Sequence, residues 1–211
     1  MNSWYKSFAE LSAVEKDGLA FCLNIKNRKT SLVVIAPHGG GIEPGTSEIA
    51  RAVAGWTYSL YTFDGIRLSG NELLHITSTL FDEPKCLKLV QVSEAVIAIH
   101  GCSGSDRDVY VGGLHVGLGD QIVNGLREAG FEAKRATTQF LGNQAENICN
   151  RGSSGQGVQL EITEGLRRSM FKGLDREGRR KTNPAFWDFV NAIRSALPVE
   201  SKVKTRLWNR F

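Results

Sequence analysis

Cysteine, histidine, proline and methionine are all scarce in this chain: 4, 4, 5 and 2 residues out of 211. Cys22, Cys86, Cys102 and Cys149 form no CxxC pair and show no framework spacing, which argues against a disulfide scaffold or a cysteine-built metal module. Cys102 reads as a small buried residue in preference to a thiolate ligand. No apolar run approaches the length needed to cross a bilayer. The first residues, Met1-Asn2-Ser3-Trp4-Tyr5-Lys6, lack the apolar core of a signal peptide. A chain made in the cytoplasm, with no membrane partner, is therefore expected; later release, for example by lysis, stays open. A net charge of only +4 gives no support to a dedicated nucleic-acid binder. Internal repeats and low-complexity segments are also missing.

Glycine is abundant, at 23 residues, against a usual share of about 7%. The glycines cluster in segments that read as loops, which suggests a loop-built site. With 41% hydrophobic and 23% charged residues the composition is that of a soluble globular protein. The length suits one domain with a full core, spanning about 10–195, with a basic tail over 199–211. Strand patterns are read at 21–25, 31–36, 57–63 (alternating, half exposed), 73–77, 94–99, 131–136 (near an edge) and 157–162. Helix patterns are read at 46–54, 85–92, 120–129 and from Pro184 onward, with Phe186, Phe189, Val190 and Ile193 on the inner face. Strands alternating with helices make the class α/β: an open mixed sheet flanked by helices.

Two of the strands end alike. Ser31-Leu32-Val33-Val34-Ile35-Ala36 runs into Pro37-His38-Gly39-Gly40-Gly41-Ile42-Glu43, and Ala95-Val96-Ile97-Ala98-Ile99 runs into His100-Gly101. Parallel strands would bring both imidazoles to the carboxyl edge of the sheet, where open α/β sheets place their sites. Two histidines and a carboxylate are the usual protein ligands of a catalytic zinc ion, so His38, Glu43 and His100 are read as a zinc site with one ion per chain. Glu48 is the rival carboxylate, but its place in the first turn of a helix already explains it. Gly157-Val158-Gln159-Leu160-Glu161-Ile162-Thr163 sets a carboxylate inside an apolar strand. A buried unpaired carboxylate is costly, and Glu161 is assigned as a general base acting on a metal-activated water.

Other residues carry weaker signals. Arg107 lies between two aspartates in a second glycine-rich loop and is read as a catalytic residue that polarises a carbonyl or binds a carboxylate; an Asp–Arg brace explains it equally well. Asn147 and Arg151, four apart, would share a helical face and grip a substrate carboxylate. Arg167, Arg168, Lys172, Arg176, Arg179, Arg180 and Lys181 form a basic stretch that either draws an anionic substrate or is a solvated face. His75, in an apolar context, reads as a core histidine before a site residue.

Pro37 to Glu48, with Ala98-Ile99-His100-Gly101 and Val158 to Thr163 in the same order, resemble the phage-type poly-γ-glutamate hydrolase family over about 10–195. The resemblance implies a zinc carboxypeptidase-like fold, zinc on His38, Glu43 and His100, and Glu161 at the place of the general base. It also implies an anionic polymer substrate, poly-γ-glutamate, cleaved at its γ-glutamyl amide bonds. Arg107, Asn147 and Arg151 resemble the substrate-gripping residues of the carboxypeptidase clan. In zinc carboxypeptidases the first His and Glu stand closer together than here, where four residues intervene, so the metal loop has its own shape. A monomer is expected. The alternatives are an amidase for a small N-acyl amino acid and a non-enzymatic polyanion-binding module.

Overall fold

The computed structural model describes residues 4–199; the basic tail from residue 200 onward lies outside the described residues. Seven strands form one mixed sheet in the order β1-β3-β2-β4-β7-β5-β6. They are β1 (Phe21–Lys26), β2 (Leu32–Gly40), β3 (Ser59–Gly65), β4 (Ala95–Cys102), β5 (Asp108–Gly112), β6 (Glu132–Arg135) and β7 (Val158–Thr163). β3, β2, β4 and β7 run parallel, β1 is antiparallel to β3, and β5 is antiparallel to β7. The helices are α1 (Phe8–Val14), α2 (Thr46–Ala54), α3 (Pro84–Gln91), α4 (Val116–Glu128), α5 (Glu164–Met170) and α6 (Pro184–Ala196).

Helices cover both faces, so the central strands are buried on both sides and read as continuous apolar runs. All nine residues of β2 are buried. Leu32, Val34 and Ala36 face a core shared with Ile49 and Val53 of α2, Leu126 of α4 and Phe189 of α6. Val33 and Ile35 face a second core with Phe21, Phe63, Phe81 and Leu89. This alternation decides where the site lies. On β4 and β7, Ile97, Ile99, Leu160 and Ile162 belong to the first core, and the intervening His100 and Glu161 stand side by side on the other face.

The class and most elements agree with the sequence pattern; several segments differ. β3 is fully buried rather than half exposed, because its polar side chains find partners inside. Thr30 bonds Ser59 at 2.9 Å, and Ser47, Arg51 and Asn24 all reach Asp64. Residues 73–77 are not a strand: Asn71–Leu74 is a 3-10 turn, followed by extended chain that is buried without joining the sheet. Part of the second glycine-rich loop is β5. Around Asn147 and Arg151 there is no α-helix. Asn147 caps the 3-10 turn Ile148–Asn150, and Arg151 closes it. The basic stretch does not form one face either. Arg167 and Arg179 are buried, whereas Arg168, Lys172, Arg176, Arg180 and Lys181 are exposed.

Candidate metal centre

β2 carries an irregularity of register between Ala36 and Gly39 against β3. An extra residue in a strand re-aims the side chains beyond it. By strict alternation His38 would follow Leu32, Val34 and Ala36 into the first core. It instead packs against Phe81 (ring centroids 6.1 Å apart) and His75 (3.9 Å), on the face that also holds His100. The chain then turns through Gly39-Gly40-Gly41. Gly40 has φ +64, and a Cβ there would stand 2.4 Å from the carbonyl oxygen of Gly65. Ser47 at the start of α2 donates to Asp64 and accepts from the Gly40 amide at 3.0 Å. The loop returns with the Glu43 amide bonded to the His38 carbonyl at 2.9 Å, which folds the carboxylate back over the imidazole.

Three buried side chains meet here. His38 Nδ1 lies 3.0 Å from Glu43 Oε1 and 3.1 Å from His100 Nδ1, and His100 Nδ1 lies 3.6 Å from Glu43 Oε2. His38 Nε2 is 2.7 Å from the carbonyl oxygen of Ile76. A carbonyl only accepts, so the proton of neutral His38 sits on Nε2 and its Nδ1 presents a lone pair. That lone pair faces a carboxylate and a second imidazole nitrogen. A lone pair and a carboxylate this close repel unless a proton or a cation lies among them, and two imidazoles with a carboxylate are ligands that zinc favours. The residues therefore fit a metal ion. A ligating histidine usually donates its far ring N–H to such an outer partner, a place the Ile76 carbonyl fills for His38, and the Gly101 amide holds Glu43 Oε2 at 2.8 Å.

His75 is the fourth member of the cluster. Ligand atoms of His38, Glu43 and His75 all lie within 4.8 Å of one another, with His75 Nε2 3.8 Å from Glu43 Oε1. Two histidines thus compete for the third position: His100 Nδ1 lies 3.1 Å from His38 Nδ1, whereas the His75 ring packs on that of His38 with centroids 3.9 Å apart. The fourth histidine of the chain, His115, is elsewhere and caps α4 by accepting from Leu118 N.

The cluster lies in a cavity of about 400 Å³ that also exposes Ser78, Cys102, Phe140, Asn147, Gln159 and Glu161. Burial lifts the Glu161 carboxyl to about 7 against the pull of His100. Burial also pushes the Glu43 carboxyl upward, but His38 and His100 outweigh it, and the net shift is below the ordinary carboxylate value. Burial lowers His100, yet its bond to Glu43 and the charge of Glu161 leave it raised. His75 is depressed to about 3, chiefly by burial. One centre thus holds an ionised carboxylate, Glu43, beside a second, Glu161, poised near neutrality.

Glu161 is oriented from below. Asn147 Nδ2 donates to Gln159 Oε1 at 2.9 Å, and Gln159 Nε2 donates to Glu161 Oε1 at 3.1 Å. Asn147 therefore reaches the site through Gln159, while its own oxygen accepts from Cys149 N. The structure brings His38, Glu43, His100 and Glu161 together, with Asn147 on the wall. Arg107 and Arg151 do not line this cavity. Arg107 is exposed on the loop between β4 and β5, and Arg151 is turned to the carbonyl of Phe81 at 3.0 Å. Glu48 pairs with Arg179 at 3.2 Å, as a helix-start acid with its own partner. The sequence pattern gave too little weight to His75 and none to Gln159, two residues before Glu161. Strand period two alone places Gln159 on the face of Glu161.

The fold and sequence have relatives. A family model described as poly-gamma-glutamate hydrolase matches residues 5–192. The SPbeta prophage-derived UPF0714 protein YoqZ of Bacillus subtilis is 39% identical over 192 residues, which cover 90% of this chain and 69% of the relative. A solved bacteriophage poly-gamma-glutamate hydrolase is 36% identical, with a TM-score of 0.91 over 92% of this chain and 96% of that one. A zinc-free apo form of YndL is 35% identical, with a TM-score of 0.88 over 92% of this chain and 97% of that one. This chain belongs to the poly-gamma-glutamate hydrolase family.

Proposed function

We propose that the protein is a zinc-dependent hydrolase that cleaves the γ-glutamyl amide bonds of poly-γ-glutamate. The observation that carries this reading is the meeting of His38 Nδ1, His100 Nδ1 and the Glu43 carboxylate within 3.0–3.6 Å, in the same cavity as Glu161. His38, Glu43 and His100 would hold the ion, with His75 packed on His38 beside them. When bound, zinc supplies a Lewis acid that polarises a carbonyl and lowers the pKa of water toward about 7.

The chain's own residues do the rest. Glu161, held by Gln159, takes a proton from the attacking water. The water oxygen bonds to the γ-carbonyl carbon, the carbon–nitrogen bond breaks, and Glu161 returns the proton to the leaving amine. A carboxyl lifted to about 7 suits both halves of that exchange. The products are a γ-carboxylate and a free amine. Each residue of the polymer bears an α-carboxylate, which complements a chain of net charge +4.

Metal content and loss of viscosity of a poly-γ-glutamate solution, measured on the wild type and on His38→Ala, test the reading. One zinc per chain and a rapid viscosity loss, both gone in the variant, are expected. Zinc without viscosity loss would move the substrate to a smaller N-acyl amino acid. A protein that takes up no zinc and cleaves nothing would sink the hydrolase reading in favour of a polyanion-binding module.

A further inference from the structure

Arg167 is 4% exposed and has no carboxylate within ion-pairing distance among the described residues, an unusual state for a guanidinium. Its three nitrogens are spent on backbone carbonyls. Nη1 donates to Pro44 at 2.7 Å, Nη2 to Cys102 at 2.9 Å and Nε to Ile162 at 3.0 Å. Pro44 follows Glu43, Ile162 follows Glu161, and Cys102 stands two residues after His100. One rigid planar fork therefore ties together the three segments that carry two of the ligands and the base. These segments are far apart in sequence and, of the three, only β4 and β7 are bonded as sheet neighbours. The Glu43 loop is joined to β4 here by a few contacts, the Gly101 amide among them.

The neighbouring sequence makes room for this fork. A Cβ on Gly101 would stand 2.7 Å from Arg167 Cζ and 2.8 Å from Nε. The glycine after His100 is thus needed for the guanidinium to lie flat under the site, with no special backbone angle involved. The mechanism above uses neither residue.

We infer that Arg167 is a positioning residue, whose guanidinium fixes the separation of Glu43, His100 and Glu161 by clamping the carbonyls of Pro44, Cys102 and Ile162. The inference rests on the zinc-site reading. Lysine cannot replace it, because a single ammonium on a flexible stem lacks the planar fork.

The experiment compares the wild type with Arg167→Lys, Gly101→Ala and Val123→Ala, the last a remote core change on α4 that serves as a stability control. Zinc affinity is measured by chelator competition, alongside kcat, KM and thermal unfolding. Removing an outer partner of a metal site typically costs about 10–100-fold in metal affinity or activity. Arg167→Lys and Gly101→Ala are each expected to weaken zinc binding by about that factor and to lower kcat with little change in KM. Val123→Ala, compared at matched loss of melting temperature, is expected to do neither. Arg167→Lys with wild-type zinc affinity and kcat, or with losses no larger than the control's, would overturn the clamp. If Arg167→Lys does not fold, Gly101→Ala decides by the same criteria, since it displaces the guanidinium without removing it. A wild type that binds no zinc would overturn the metal-site reading itself, and is told apart by the first measurement alone.

Discussion

The carboxyl of Glu161 is lifted to about 7 by burial, and its proposed work needs the ionised form. Activity should therefore fall as pH drops through its pKa. A bound cation nearby pulls a carboxyl down, so the acid limb of kcat/KM is expected at or below about pH 7. Glu161→Gln should keep its zinc, lose about 10²–10⁴-fold in kcat, and leave a residual rate without that limb; a limb that persists in the variant would assign it to another group. The choice between His100 and His75 as the third ligand is tested at the same scale. His100 Nδ1 stands 3.1 Å from His38 Nδ1, and His75 meets the cluster by packing on the His38 ring and by approaching Glu43 at 3.8 Å. His100→Ala should abolish stoichiometric zinc binding, while His75→Ala should keep it with a smaller loss of activity. Zinc analysis of the two purified variants checks this, and the opposite pattern would exchange their roles.

At the scale of elements, the site depends on the bulge and turn at the end of β2. Gly40→Ala would set a Cβ 2.4 Å from the Gly65 carbonyl at φ +64, a backbone conformation that costs an L-residue roughly 1–2 kcal/mol before any clash. For a domain of this size that corresponds to a fall of about 2–8 °C in melting temperature, together with weakened zinc uptake because the turn sets Glu43 over His38. Unchanged melting would show that the turn relaxes freely. These same elements mark what was legible in the sequence. β2, β4 and β7 were readable because strands buried on both faces are continuous apolar runs; the first two pointed to His38 and His100 where their apolar runs stop, and the third to Glu161 as a carboxylate inside its run. β5 was hidden because Asp108–Gly112 is short and flanked by glycine. Leu73-Leu74-His75-Ile76-Thr77 imitated a strand because burial, not sheet pairing, selects its apolar residues. His75 reaches the cluster, and the Ile76 carbonyl orients His38, through tertiary packing that no local pattern encodes. The helical face expected for Asn147 and Arg151 failed for a related reason. A four-residue spacing means a shared face only if a helix forms, and Asn147 is committed to capping a 3-10 turn and holding Gln159.

For the whole molecule, the two cores and the site are coupled through the three proposed ligands. His38, near the end of β2, turns into the core that contains Phe81, Glu43 lies on the loop into α2, and His100 lies two residues before the end of β4. An ion bound by all three bridges segments that are separate in the unfolded chain, so it binds the native state in preference to the unfolded one. Such a ligand stabilises by RT ln(1 + [L]/Kd), about 4 kcal/mol when free zinc is a thousand times Kd. In a domain near 200 residues that is a rise of roughly 8–16 °C in melting temperature. The expected outcome is a melting curve that drops on chelation and recovers with zinc, in step with hydrolytic activity. His38→Ala should melt at one temperature with or without the ion. A wild type whose activity follows zinc while its melting temperature does not would place the ion at a site that leaves folding untouched, contrary to a cluster in which Glu43 is bonded to the Gly101 amide, 58 positions away beside His100. Melting of His38→Ala below the chelated wild type would instead show that the apo cluster already joins the two segments through the contacts of His38 with Glu43 and His100, with the ion adding only the increment that mass action allows.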